Sequence, residues 1–324
     1  MPSYKIFDLV ADELSQVEAE LFHGLNSGIH VIDDVGNHIL KSGGKRFRPL
    51  IALLVSRFFN YQGRHHIDLA CALEYLHTAT LLHDDVVDNG RVRRGSSTAN
   101  SVWGDKTSIL VGDFLFSYSF SLLVKIGILN ILKIFSETTS QMAKGETFEL
   151  NHLGNLDLSE EDYFSIITDK TASLFSAACE CSAILGEAQQ EVQHALRSYG
   201  LNLGIAFQLT DDLLDYVASV EEFGKSIGKD LKEKKITLPL IYTLQNLSGD
   251  KKSTVLATLQ NEMLSEDEVT RIIGLVKETG GINYTRKQAR LYSGQAREVL
   301  RPIPSSPEKT ALLEAADYVV ERKS

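Results

Sequence analysis

Apolar residues recur at three- and four-residue spacing along almost the whole chain. That period belongs to helices with one buried face. It runs from Tyr4 to Leu25 and from Ile29 to Leu40. A further helix is predicted from Arg46 through Phe59, and another starts near Ile67 and carries Asp84, Asp85 and Asp88 at its C-terminal end. Between Asn89 and Asp105 the pattern gives way to Gly, Ser, Thr and Arg, which predicts a loop. Helical periodicity returns over roughly 106–125, 128–152, 159–186 and 188–219, the last segment carrying Asp211, Asp212 and Asp215. The charged stretch from Glu222 to Lys235, with Gly224 and Gly228, reads as a second polar loop, and periodicity resumes beyond Pro239. No alternating run marks a strand, and no linker or low-complexity tail divides the chain. The expectation is an all-α protein, one helical domain over residues 1–324.

The segment from Ile109 to Phe135 is apolar enough to resemble a membrane span. It is interrupted by Asp113, Lys125, Gly127, several serines and Asn130, which points instead to two buried helices meeting near Gly127. The N-terminal stretch is polar and acidic and lacks a signal or transit pattern, so no transmembrane segment and a cytoplasmic location are expected. Six prolines among 324 residues suit long uninterrupted helices. A net charge of −10 argues against nucleic acid as the main partner. Cys71, Cys179 and Cys181, an odd and small set, read as reduced thiols used in packing.

Two aspartate clusters share one spacing, Asp84-Asp85-Asp88 and Asp211-Asp212-Asp215. Carboxylates four residues apart lie on one helical face, where they repel each other and call for a cation. Mg²⁺ suits such oxygens and binds through a few carboxylates completed by substrate phosphates. Two facing clusters would cage a diphosphate held by several Mg²⁺ ions. The Gly43-Gly44-Lys45-Arg46-Phe47-Arg48-Pro49 run opens a helix, where backbone donors and positive side chains suit an anion. Arg93 and Arg94 follow the first cluster closely and read either as charge balance or as diphosphate ligands. Lys170, Thr171, Lys225, Lys229, Lys234 and Lys235 each read, taken alone, as solvated surface. His77, two turns before Asp84, and Gln208, three residues before Asp211, read alone as core polar residues.

Together these elements resemble the trans-type polyprenyl diphosphate synthases, in pattern the bacterial long-chain, octaprenyl-forming members. The likeness runs from about Ile32 to Leu240 and rests on Gly43–Pro49, His83–Asp88 with Arg93-Arg94-Gly95, Lys170-Thr171, Gly204–Leu209, Asp211–Asp215, Lys225 and Thr237–Leu240. It implies a large helical bundle with a central cavity between antiparallel helices. It implies three Mg²⁺ ions held by Asp84, Asp88 and Asp211, with Asp85, Asp212 and Asp215 supporting them. It implies that Arg93, Lys170, Thr171, Gln208 and Lys225 hold an allylic diphosphate, while Gly44, Lys45, Arg48, His77 and Arg94 hold isopentenyl diphosphate, with Lys235 a further substrate contact. The catalytic set is then Asp84, Asp85, Asp88, Arg93, Lys170, Asp211, Asp212, Asp215 and Lys225. A homodimer, with the 109–135 region as a candidate interface, and transient membrane contact during product release are also implied.

Three residues depart from the family pattern: Glu149 for a glutamine, Lys234 for a glycine and Thr210 for an apolar residue. Chain length is expected to depend on Leu76, Ala79 and Thr80, in the two turns before Asp84. Short-chain relatives block the fourth or fifth position before that aspartate with a ring, whereas here Thr80 and Ala79 are small. A long product, near eight isoprene units, is therefore expected, and the resemblance further implies a quinone side chain as its destination and farnesyl diphosphate as primer. The alternatives are a shorter-chain synthase, a terpene cyclase, which needs no second diphosphate pocket, and a silent regulatory subunit, which should have lost metal aspartates.

Overall fold

Helices make up nearly all the regular backbone in a computed structural model that describes residues 6–93, 95–217 and 227–322. A 3-10 turn at Asp8–Val10 precedes α1 (Ala11–His23), α2 (His30–Lys41), α3 (Phe47–Phe58) and α4 (His65–Val87). Two short strands, β1 (Val92–Arg93) and β2 (Ser96–Ser97), lead to α5 (Ala99–Trp103), α6 (Asp105–Ile126) and α7 (Leu129–Asn151). Next come α8 (Glu160–Ile167), a π turn at Thr168–Ala172, α9 (Ser173–Leu185) and α10 (Gln190–Val217). The rest comprises α11 (Lys229–Lys232), α12 (Leu238–Asn246), α13 (Gly249–Leu259), α14 (Glu266–Thr279), α15 (Gly281–Val299) and α16 (Pro307–Glu321).

Three details differ from the sequence expectation, one being that the 222–235 stretch, described from Ile227 onward, contains the short helix α11 (Lys229–Lys232) and is not loop throughout. The 89–105 loop contains an antiparallel hairpin, Val92 opposite Ser97 and Arg93 opposite Ser96, followed by α5. Strands this short leave no alternation to read. The 159–186 segment is three pieces, because the π turn interrupts it.

The backbone forms two compact units. The first comprises the chain up to Glu137 with Ala177–Arg197 and Pro302–Glu314. In it α4 packs on α6. Two serines of α6 face α4, Ser108 donating to the Leu82 carbonyl (3.2 Å) and Ser119 to the Ala72 carbonyl (2.8 Å), while Ser117 and Ser121 are exposed. A buried hydroxyl needs such a partner. Lys125 pairs with Asp68 at 2.8 Å. Gly127, at φ 75°, ends α6, so the break falls where the sequence predicts it. Burial is one-sided, however: Ile109, Leu110, Phe116 and Val124 are exposed. Among the described residues α6 is the one helix long and apolar enough to cross a membrane, with a third of its apolar window buried. All three cysteines are free and buried, and burial pushes their thiols up, as expected for packing residues.

The second unit comprises Thr138–Ser176, Ser198–Arg301 and the residues from Ala315 onward. Its core gathers Tyr163 and Ile166 of α8, Ile205, Leu209, Leu213 and Tyr216 of α10, and Leu238, Ile241, Val276 and Ile282 from later helices. The apolar positions of α10 fall three and four apart, which fixes the rotation of that helix and hence the direction of its aspartates.

Candidate active site

Asp84 and Asp85 lie in the last turn of α4 and Asp88 is its C-terminal cap. The C-terminal end of a helix already carries partial negative charge, so carboxylates placed there favour a nearby cation. Asp84 and Asp88 are half-buried. Asp85 is buried, and its Oδ1 accepts from Arg93 Nε at 2.9 Å. A buried carboxylate needs such a partner, and the pair fixes Arg93 beside the cluster. The Asp85 carbonyl accepts from Gly90 N (2.9 Å) and Asn100 Nδ2 (3.0 Å), which ties the hairpin to the helix end. Arg94 lies outside the described residues.

The glycine-rich run ends in a left-handed residue that is not glycine, Arg46 at φ 47°. Its guanidinium donates to Glu74 at 2.7 Å, Glu18 at 3.2 Å and the Leu40 carbonyl at 3.0 Å. These contacts stabilise the unusual backbone and anchor the loop to α4 one turn before His77. Gly44 and Lys45 are exposed, while Arg48 and His77 are half-buried. Thr80, half-buried, donates to the His77 carbonyl at 2.8 Å, and Leu76 and Ala79 are buried. His77, Thr80, Asp84 and Asp88 thus share one half-exposed stripe of α4.

In the second unit the π turn presents Lys170 and Thr171. Such turns displace one residue from the helical register. Gly145 and Gly204 let neighbouring helices close on it: a Cβ on Gly145 would meet Lys170 N at 2.7 Å, and one on Gly204 would meet Ala172 Cα at 2.6 Å. Lys170 Nζ lies 2.5 Å from a carboxylate oxygen of both Glu146 and Glu149. The glutamate that departs from the family pattern is therefore a partner of the predicted diphosphate lysine.

Thr171 donates to Gln208 Oε1 at 2.9 Å, Gln208 Nε2 to Asp212 Oδ1 at 2.7 Å, and Tyr163 Oη to Asp212 Oδ2 at 2.5 Å. Burial pushes the Asp212 carboxyl up to about 7, against the pull of the Tyr163 and Gln208 hydrogen bonds, and Asp211 adds to the rise. Asp215 accepts from the backbone N–H groups of Lys229 and Asp230, both at 3.0 Å, which ties the late loop to α10. Asp212 and Asp215 are thus committed to the surrounding framework. Asp211, half-exposed, pairs with Arg322 Nη2 at 2.7 Å. Thr210, another departure, returns its hydroxyl to the Ala206 carbonyl at 2.8 Å and so is satisfied while buried.

A cavity of about 130 Å³ in this unit is lined by Lys170, Thr171, Gln208, Asp212 and Lys235 together with Glu149, Tyr163 and Asp230. Lys235 pairs with Glu233 at 3.2 Å. Lys234, the third departure, has φ 59°, a conformation glycine adopts without strain. Lys225 lies outside the described residues. Sequence reasoning assigned no role to Tyr163, Asp230 or Arg322. Tyr163 and Arg322 lie 49 and 111 residues from the aspartates they bind, which no local pattern reveals.

Among the described residues no three His, Cys, Asp or Glu side chains converge on a ready-made cation position. The donors are hard carboxylate oxygens, and the one on Asp211 already draws a cationic group. That donor set fits Mg²⁺, which needs few protein ligands when phosphate oxygens complete its shell.

The fold is all-helical, and the acidic and basic groups it presents are of the kind that suits a diphosphate ester held with a cation. The chain belongs to the polyprenyl synthetase family, whose sequence model matches residues 29–276, and it is a prenyltransferase. It is 38% identical over 318 residues to an octaprenyl diphosphate synthase of Escherichia coli (strain K12), covering 98% of each chain. It is 36% identical over 314 residues to an all-trans-nonaprenyl-diphosphate synthase (geranyl-diphosphate specific) of Rhodobacter capsulatus, covering 97% of this chain and 96% of that one. Among solved structures, a polyprenyl synthase from Caulobacter crescentus CB15 complexed with calcium and isoprenyl diphosphate superposes with a TM-score of 0.95 at 36% identity, covering 99% of this chain and 98% of that one. A decaprenyl diphosphate synthase from Rhodobacter capsulatus superposes at 0.92 with 37% identity, covering 99% of both.

Proposed function

We propose that this enzyme condenses isopentenyl diphosphate head-to-tail onto an allylic diphosphate, farnesyl diphosphate being the expected primer, to give about eight isoprene units for a quinone side chain. The observation that carries the reading is full-length similarity to octaprenyl diphosphate synthase. The small residues Ala79 and Thr80 before Asp84 support the long product. The family model spans residues from both compact units, which supports one catalytic domain.

In the proposed reaction the allylic C–O bond breaks and its electron pair leaves with pyrophosphate. The double bond of isopentenyl diphosphate attacks the delocalised cation, forming the new C–C bond. Loss of a proton from the resulting cation restores an allylic diphosphate, with pyrophosphate as the base. Bound Mg²⁺, three ions in this reading, would supply positive charge to the leaving group, held by Asp84, Asp88 and Asp211. Lys170 would exchange Glu146 and Glu149 for diphosphate oxygens, and Thr171, Gln208, Arg93 and Lys225 would complete that set. Gly44, Lys45, Arg48, His77 and Arg94 would orient isopentenyl diphosphate, with Lys235 a further substrate contact. Tyr163 and Arg46 act through neighbours, holding Asp212 and the glycine-rich loop. The exposed apolar residues of α6, Leu110 and Val124 among them, support a homodimer interface.

Purified protein with Mg²⁺, farnesyl diphosphate and labelled isopentenyl diphosphate tests the proposal. Asp84→Ala and Asp211→Ala should each leave a helical protein with turnover lower by about 10³-fold or more. Near-normal turnover in either, or full activity in excess chelator, contradicts it.

A further inference from the structure

Arg322 follows α16 and reaches back to α10. Its side chain is 7% exposed, against 42% for Asp211. Three contacts hold the guanidinium: Nη2 donates to Asp211 Oδ1 (2.7 Å) and to the Phe207 carbonyl (3.0 Å), and Cζ stands 3.9 Å from the centroid of the Phe207 ring. Two of the three do not involve Asp211. The arginine can therefore release the aspartate and still be held, by a carbonyl and a ring face, without becoming an unpartnered buried charge.

A divalent cation at Asp211 meets this arrangement as a competitor. Oδ1 is already engaged, and the incoming ion approaches a fixed positive charge one hydrogen bond away. From this geometry we infer that Arg322 is a displaceable counter-ion that weakens binding of bare metal at Asp211. The inference rests on the reading of Asp211 as a metal ligand. Its consequence is an order of loading. A metal ion that arrives with a diphosphate brings negative charge that offsets Arg322, and a metal ion alone does not. Metal occupancy at Asp211 is then coupled to the presence of substrate, because a binding-competent state that is only fractionally populated weakens apparent affinity by that fraction.

The test is Mn²⁺ binding to the substrate-free protein, read from the free-ion electron paramagnetic resonance signal, for the wild type, Arg322→Met, Arg322→Gln, Asp211→Asn and the Asp211→Asn/Arg322→Met double variant. Methionine keeps an unbranched side chain against Phe207, and glutamine gives a second route if methionine does not fold. Both single Arg322 variants should bind the Asp211-dependent Mn²⁺ about five- to tenfold more tightly, the range for one charge-assisted hydrogen bond with a half-exposed partner. In the Asp211→Asn background the Arg322 change should have no effect. If Asp211→Asn leaves Mn²⁺ binding as in the wild type, Asp211 is not a metal ligand and both readings fall. If Asp211→Asn weakens binding while removal of Arg322 leaves it unchanged or weaker, the counter-ion assignment alone is overturned.

Discussion

Glu149→Gln changes one charge at the lysine proposed to hold the allylic diphosphate. Lys170 lies 2.5 Å from oxygens of both Glu146 and Glu149, whose side chains are 26% and 23% exposed. One ammonium between two carboxylates leaves a net negative charge where a polyanion has to bind. Glutamine keeps an acceptor for Lys170, so the lysine stays placed while the repulsion is reduced. Two unit charges about 6 Å apart interact by about 3 kcal/mol at an effective dielectric of 20 and by less than about 1 kcal/mol in water. Partial exposure moves the value towards the lower figure. About 1 kcal/mol corresponds to roughly fivefold in binding. Calorimetric titration of the allylic diphosphate with Mg²⁺ present and isopentenyl diphosphate absent should show Kd falling by about that factor. Titration of isopentenyl diphosphate alone should be unchanged. Allylic affinity that stays the same or drops would refute the view that Glu149 opposes the substrate at Lys170.

In chelator, Asp212 should impose a pH slope on stability. Its carboxyl is raised to about 7 from an ordinary 3.8, so between those values the folded protein keeps a proton that the unfolded chain has lost. Its contribution is largest at acid pH and is lost as pH rises through that window; Asp212→Asn should flatten the slope in denaturant melts at pH 4.5 and 8, and equal slopes would count against it. Lys234→Gly relieves a left-handed backbone at φ 59° and should stabilise the fold by about 0.5–1 kcal/mol; a lower midpoint in urea would show that the side chain matters more than the backbone. Ala79→Tyr adds a ring at a buried position of α4. It should shift the dephosphorylated products towards about three or four isoprene units by filling space meant for the tail; an unstable protein with unchanged products would show that the ring enters the core instead.

The helices were legible because apolar spacing reports burial directly, and the break at Gly127 because glycine takes a left-handed helix end without strain. The two-residue strands and the π turn were not, since neither leaves a periodic trace in sequence. The aspartate spacing and the basic elements beside it pointed to diphosphate chemistry without any coordinates. What sequence could not supply was the partner of each charge. Taken alone Lys170 reads as surface, and no spacing reveals that Glu146 and Glu149 close on it or that Tyr163 and Gln208 take both oxygens of Asp212. Contacts over 49 or 111 residues come from tertiary packing. The departure at Lys234 became intelligible through its φ angle alone.

The central claim, long-chain synthesis, is tested most directly by the mass of the product that the purified enzyme makes from farnesyl diphosphate and excess isopentenyl diphosphate with Mg²⁺. The account predicts a dominant polyprenyl diphosphate of about eight isoprene units, near forty carbons. A product that stops at about fifteen or twenty carbons under those conditions would contradict it.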